Sequence, residues 1–108
     1  MEQRVAKLAE ISVGSLKRVT VDGRAICLAR PEDGRVYAID DACTHEGYSL
    51  SEGELFDFDV ECPMHGSRFD LRTGRPTCLP AEIPSCIYAV RIDNDEIYLS
   101  GVPSVPPA

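Results

Sequence analysis

Short apolar and polar alternations fill most of the chain, and no segment sustains a helical period. Residues 5–11, VAKLAEI, alternate roughly and suit an edge strand. SLKRVTVDG (15–23) and RAICLAR (24–30) read as two strands joined at Asp22-Gly23, a strong hairpin signal. PEDG (31–34) is a second tight turn, and RVYAID (35–40) resumes the alternation. Residues 41–53 lose periodicity and predict a loop. LFDFDVEC (55–62) alternates again, and PMHGS (63–67) is another loop. SRFDLRTGRP (67–76) predicts a short strand entering a turn at Thr73-Gly74. PTCLPAEIPS (76–85) holds three prolines and predicts an extended, stiffened loop. IYAVRI (87–92) and EIYLS (96–100) are strands around the turn Asp93-Asn94-Asp95, and GVPSVPPA (101–108) is a Pro-rich tail. Strands at this spacing predict an all-β sandwich or barrel.

Length and charge narrow the function. The 108 residues fit one compact domain with a modest core. Eleven basic against 18 acidic residues leave a net charge of −7, which argues against nucleic acid and anionic membranes as partners. No apolar run approaches the ~20 residues of a membrane span. The N-terminal MEQRVAKLAEI lacks a signal-peptide core, so a cytoplasmic location is expected. Five cysteines cannot all pair, and in a reducing compartment those grouped with histidines read as metal ligands or reactive thiols.

Two loops carry such groups. The first is Cys43-Thr44-His45, and the second is Cys62-Pro63-Met64-His65, followed by Gly66 and Ser67. Each offers one thiolate and one imidazole. A zinc finger uses a Cys pair and then a His pair, each gripping the ion from one turn. Mixed pairs suit a dinuclear cluster, in which one iron takes both thiolates and the other both imidazoles.

C-T-H-E-G-Y-S-L (43–50) and C-P-M-H-G-S-R-F-D (62–70) resemble the two cluster-binding boxes of Rieske ferredoxins. The resemblance, supported by the hairpin between the boxes and the strands around them, covers nearly all of residues 3–100. It implies the Rieske iron-sulfur fold, an all-β stack of antiparallel sheets over 1–100 with a small cluster-binding subdomain at about 41–80. It implies one [2Fe–2S] cluster on Cys43, His45, Cys62 and His65, with both imidazoles near the surface as the route for electrons. A Pro-rich third loop covers the cluster in the family, and Leu79-Pro80-Ala81 stands in its place. Gly47 and Gly66 fit as positions where backbone amides approach the cluster, or as plain turn glycines.

Departures within the family matter as well. Respiratory-chain members carry an extra cysteine in each box, and neither box holds one here. High-potential members use a Ser and a Tyr hydroxyl to hydrogen-bond the cluster sulfurs; this chain keeps Ser67 but has Phe69 in place of the Tyr. A lost donor lowers the potential, so the expectation is nearer roughly −150 mV than +300 mV. Between Arg35 and Arg68 there is no Lys or Arg, whereas Asp40, Asp41, Glu46, Glu52, Glu54, Asp57, Asp59 and Glu61 lie there. This acidic block also depresses the potential, and it either steers the protein onto basic patches of partners or merely aids solubility.

Cys27 lies in an apolar strand and reads as a small buried hydrophobe. Cys78 and Cys86 flank the Pro-rich loop and read as free thiols, with a disulfide or a second metal as alternatives. Met64 either shields the cluster or touches a partner, and Tyr48 either docks a partner or packs. Glu46 favours a protonated His45, ferric iron opposes it, and the balance stays open. The leading functional expectation is a monomeric, non-catalytic carrier of single electrons. The resemblance implies a flavin-dependent reductase as donor and a terminal oxygenase as acceptor. The alternatives are a small Rieske subunit of an assimilatory nitrite reductase-type complex and a structural zinc module.

Overall fold

A computed structural model describes residues 2–43, 48–64, 66–78 and 83–101. Ten strands follow in chain order: β1 (Glu2–Lys7), β2 (Ser15–Val21), β3 (Arg24–Arg30), β4 (Tyr37–Asp40), β5 (Glu54–Phe56), β6 (Asp59–Glu61), β7 (Arg68–Asp70), β8 (Pro76–Cys78), β9 (Ile87–Asp93) and β10 (Glu96–Ser100). They form a six-stranded sheet, ordered β1-β10-β9-β4-β3-β2, and a four-stranded sheet, β5-β6-β7-β8. Every pairing is antiparallel. The predicted all-β fold of stacked sheets is therefore what the chain adopts.

Turn chemistry fixes the hairpins. Asp22-Gly23 closes β2 onto β3 through the pair Val21–Arg24. Asn94 and Asp95, at φ 51° and 63°, form the two-residue turn between β9 and β10. Pro31–Gly34 is a turn closed by a 2.9 Å backbone bond, and β4 starts only at Tyr37, two residues later than predicted.

Two other expectations need correction. The edge strand expected over 5–11 lies at Glu2–Lys7, and a 3-10 turn follows at Leu8–Glu10. The Lys7 N–H donates to the Glu10 carboxylate at 2.6 Å, which ends the strand. The stretch 76–85 is not all loop. Pro76–Cys78 pairs with β7 as an edge strand, where the missing proline N–H leaves no gap in a ladder. Residues 79–82 and the tail from 102 onward lie outside the described residues.

The large sheet curls until its edge strands meet. Gln3 on β1 donates to Asp22 at the end of β2 at 2.8 Å. Ile26, Leu28, Ala38, Ile97 and Leu99 fill the interior of this curl. The opposite faces of the same strands offer Cys27, Ala29 and Ile39, which pack against the small sheet with Leu50, Val60, Phe69 and Leu71. Strands β3 and β4 are thus buried on both sides, which is why RAICLAR reads as a continuous apolar run rather than an alternation.

Candidate metal centre

The first loop leaves β4 at Asp40 and is closed at its neck. The Leu50 N–H donates to the Asp41 carbonyl at 2.6 Å, Ala42 bridges Ser49, and the Cys43 N–H donates to Tyr48 at 2.8 Å. The second loop is closed by the Cys62 N–H to the Ser67 carbonyl at 2.7 Å, with Gly66 turning at φ 72°. A side chain at Gly66 would meet nothing within 4 Å, so among the described residues the turn conformation is what calls for glycine there.

These necks present two thiols to one place. Cys43 is 3% exposed and Cys62 1%, and both sit in the core cluster built on Phe69, Leu50 and Val60. Neither is joined in a disulfide. His45, Glu46, Gly47, His65 and Leu79-Pro80-Ala81 lie outside the described residues. Among the described residues no three His, Cys, Asp or Glu side chains group as metal ligands. The described half of the predicted donor set nevertheless fits a thiophilic metal group. Two soft donors share one apolar core cluster, each at the start of a loop with a fixed neck.

The remaining cysteines separate cleanly. Cys27 is fully buried in the same cluster, and burial, reinforced by the charge of Asp41, holds its thiol protonated far above the ordinary range. Cys78 and Cys86 are free and exposed, so no disulfide joins them. Tyr48 and Met64 are 44% and 39% exposed, which removes a purely packing role for either.

The acidic block is less naked than the sequence implies. Arg24 meets Asp40 at 3.3 Å, Arg18 approaches Asp41 at 3.7 Å, and Arg68 pairs Glu61 at 2.7 Å. The cations come from outside the block, brought in by β2, β3 and β7. Glu52, Glu54 and Asp57 stay exposed and without an ion pair among the described residues. Sequence reasoning also counted Asp41 only as one of these acids. Its carboxylate is in fact buried and accepts from the Ser49 hydroxyl and, at 2.8 Å, from the Ser51 N–H. The signal for it was available in Ser49-x-Ser51, set eight and ten residues after an Asp that precedes Cys43 by two.

Phe69 is wholly buried beside the thiols and carries no hydroxyl. Arg68 stacks on the Phe56 ring at 4.1 Å while it pairs Glu61, tying the β5–β6 hairpin to the second loop.

Comparison with known proteins agrees with this layout. A naphthalene 1,2-dioxygenase system ferredoxin component from Pseudomonas aeruginosa is 38% identical over 92 residues, 85% of this chain and 88% of that one. The ferredoxin of carbazole 1,9a-dioxygenase from Nocardioides aromaticivorans IC177 superposes with a TM-score of 0.86 at 38% identity, covering 92% of this chain and 96% of that one. A carbazole 1,9a-dioxygenase ferredoxin, solved in complex with its oxygenase, superposes at 0.85 with 33% identity, covering 91% and 100%. A putative nitrite reductase small subunit from Mycobacterium tuberculosis shares the fold at 22% identity, a TM-score of 0.84 and coverage of 95% and 96%. The model of the Rieske [2Fe-2S] domain matches residues 1–103. With two buried thiols on neck-closed loops and this match across nearly the whole chain, the protein belongs to the Rieske [2Fe–2S] domain family.

Proposed function

We propose that the chain is the ferredoxin component of an aromatic-ring dioxygenase system, an electron carrier with no catalytic site of its own. Cys43, His45, Cys62 and His65 would hold one [2Fe–2S] cluster, within a single domain over 1–100 whose cluster-binding part spans about 41–80. When bound, that cluster stores and releases one electron at a time. The chain's own residues do the rest. The necks at Asp41–Leu50 and Cys62–Ser67 hold the thiolates in place, and Phe69, Leu50 and Val60 keep water from them.

The observation that supports this most is the convergence of two buried cysteines from two separate loops on one core cluster. Likeness to ferredoxins at 33–38% identity favours a diffusing carrier, whereas the nitrite reductase subunit is similar in fold alone. The donor would be a flavin-dependent reductase and the acceptor a terminal oxygenase, both met through basic surfaces that complement exposed acids. The chain would act as a monomer in the cytoplasm; no described helix is long and apolar enough to cross a membrane. Its potential would sit low in the Rieske range, because Phe69 offers no donor to sulfur.

Anaerobic purification tests the reading. Iron and acid-labile sulfide in equal amounts, with a reduced-state EPR signal that changes when His45 or His65 becomes alanine, is the expected result. Stoichiometric zinc without sulfide would establish a structural zinc module in its place.

A further inference from the structure

We propose that Asp41 is a positioning residue for the cluster, clamping the neck of the first loop so that Cys43 is presented in one fixed place. The inference rests on the ligand set proposed above and adds a residue outside it.

Asp41 is 2% exposed, in a chain where most carboxylates lie at the surface. Five interactions converge on it. Its N–H donates to the Ala25 carbonyl at 3.1 Å, which fastens it to β3. Its carbonyl accepts from Leu50 at 2.6 Å on the returning arm of the loop. One carboxylate oxygen accepts from the Ser51 N–H at 2.8 Å, and the other accepts from the Ser49 hydroxyl. Arg18, on β2, lies 3.7 Å away and offsets the charge.

Backbone and side chain of one residue therefore grip both arms of the loop and the large sheet together. Cys43 follows two residues later, and its N–H is bonded to Tyr48 on the same returning arm. If the neck opened, Cys43 would lose its fixed relation to Cys62, because these bonds and the Ala42–Ser49 bridge are the hydrogen bonds that tie residues 49–51 to 41–43 among the described residues, with core packing of Leu50 and Cys43 beside them. A buried anion costs too much to retain without such a return, and three partners satisfy the carboxylate: the Ser51 N–H, the Ser49 hydroxyl and Arg18.

Shape and charge can be separated by substitution. In Asp41→Asn the Oδ1 atom still takes the Ser51 N–H. The amide can donate to Ser49, whose hydroxyl turns its proton to Ser51 Oγ, 2.9 Å away. In Asp41→Ala neither link survives.

The test uses the cluster-loaded wild-type protein, Asp41→Asn, Asp41→Ala, and Leu99→Ala as a control for general destabilisation. Leu99 is buried in the other core, inside the curled sheet. Visible absorbance is followed during exposure to an iron chelator, and the midpoint potential and reduced EPR spectrum are recorded. Asp41→Ala is expected to bleach several-fold faster than wild type, with a broadened EPR signal. Asp41→Asn is expected to bleach near the wild-type rate, with its potential shifted upward by loss of the anion. Leu99→Ala is expected to match wild type in both. Bleaching of Asp41→Ala at the wild-type rate would overturn the proposal, as would equal bleaching of Leu99→Ala and Asp41→Ala. A wild-type protein that binds no cluster would defeat the ligand reading itself.

Discussion

Val60 and Phe69 stand opposite each other across the β6–β7 ladder, and both are wholly buried in the core that contains Cys43 and Cys62. The pair sets how dry and how poor in donors the thiol surroundings are. Phe69→Tyr would place a hydroxyl there, costing about 1–3 kcal/mol of stability unless it finds an acceptor. In the loaded protein the expected acceptor is a cluster sulfur, so the midpoint potential should rise. Protein-film voltammetry of the two forms checks the direction, and an unchanged or lower value would contradict it.

Removing the ring is a harsher change. Phe69→Ala should cost about 3–5 kcal/mol, a large part of the stability of a domain this size. Urea unfolding followed by circular dichroism would show the midpoint fall, with cluster loss preceding it.

Gly74 adopts φ 77°, and a Cβ there would lie 2.1 Å from the Ser85 carbonyl oxygen. The same turn holds the loop leading into β9 at Ser85, whose N–H donates to the Gly74 carbonyl at 2.8 Å. Gly74→Ala should therefore cost about 1–3 kcal/mol and loosen that loop. Denaturation midpoints measure the cost, and faster amide exchange at Ser85 would report the loosening.

Hairpin signals in the sequence were dependable because they are local. Asp22-Gly23 and Asn94-Asp95 need only their own backbone preferences to turn. The two thiols were legible for a similar reason, since ligand type and spacing survive without knowing the fold. Pro76 misled because proline excludes a central strand but not an edge, and which strand is an edge is a property of the whole sheet. Asp41 was missed because its partners come from β2, β3 and the far arm of a loop. Arg18, Arg24 and Arg68 likewise pair three acids of a stretch that holds no Lys or Arg of its own.

Those pairings sharpen the steering idea. Among the described residues, Glu52, Glu54 and Asp57 are the exposed acids of the block without an ion pair, whereas Asp59 is half-buried and accepts from the Thr77 hydroxyl. Electron transfer to the oxygenase should slow as ionic strength rises, and the combined variant E52Q/E54Q/D57N should be slower at low salt with a flatter dependence. Stopped-flow rates across a salt series decide it; an equal dependence in both proteins would remove these residues from docking.

Tyr88 gives the alkaline limb. Burial, then the 2.6 Å hydrogen bond to Asp40 and its charge, push the phenol well above its usual value. A group whose folded pKa is raised contributes stability that is complete below its unfolded pKa and disappears as pH climbs beyond it. Wild-type stability should thus drop above about pH 10, the ordinary tyrosine value. Tyr88→Phe should begin less stable but decline less. Denaturant midpoints between neutral and alkaline pH, with phenolate absorbance followed in parallel, would show both effects.

Strands β3 and β4 act as a partition between two interiors. Only one side touches the thiols, so iron delivery and iron loss concern half the molecule. The curled sheet has an interior of its own, whose packing does not involve Cys43 or Cys62. Removal of the iron is therefore expected to loosen one interior and leave the other standing, which amide exchange of the metal-free protein would show.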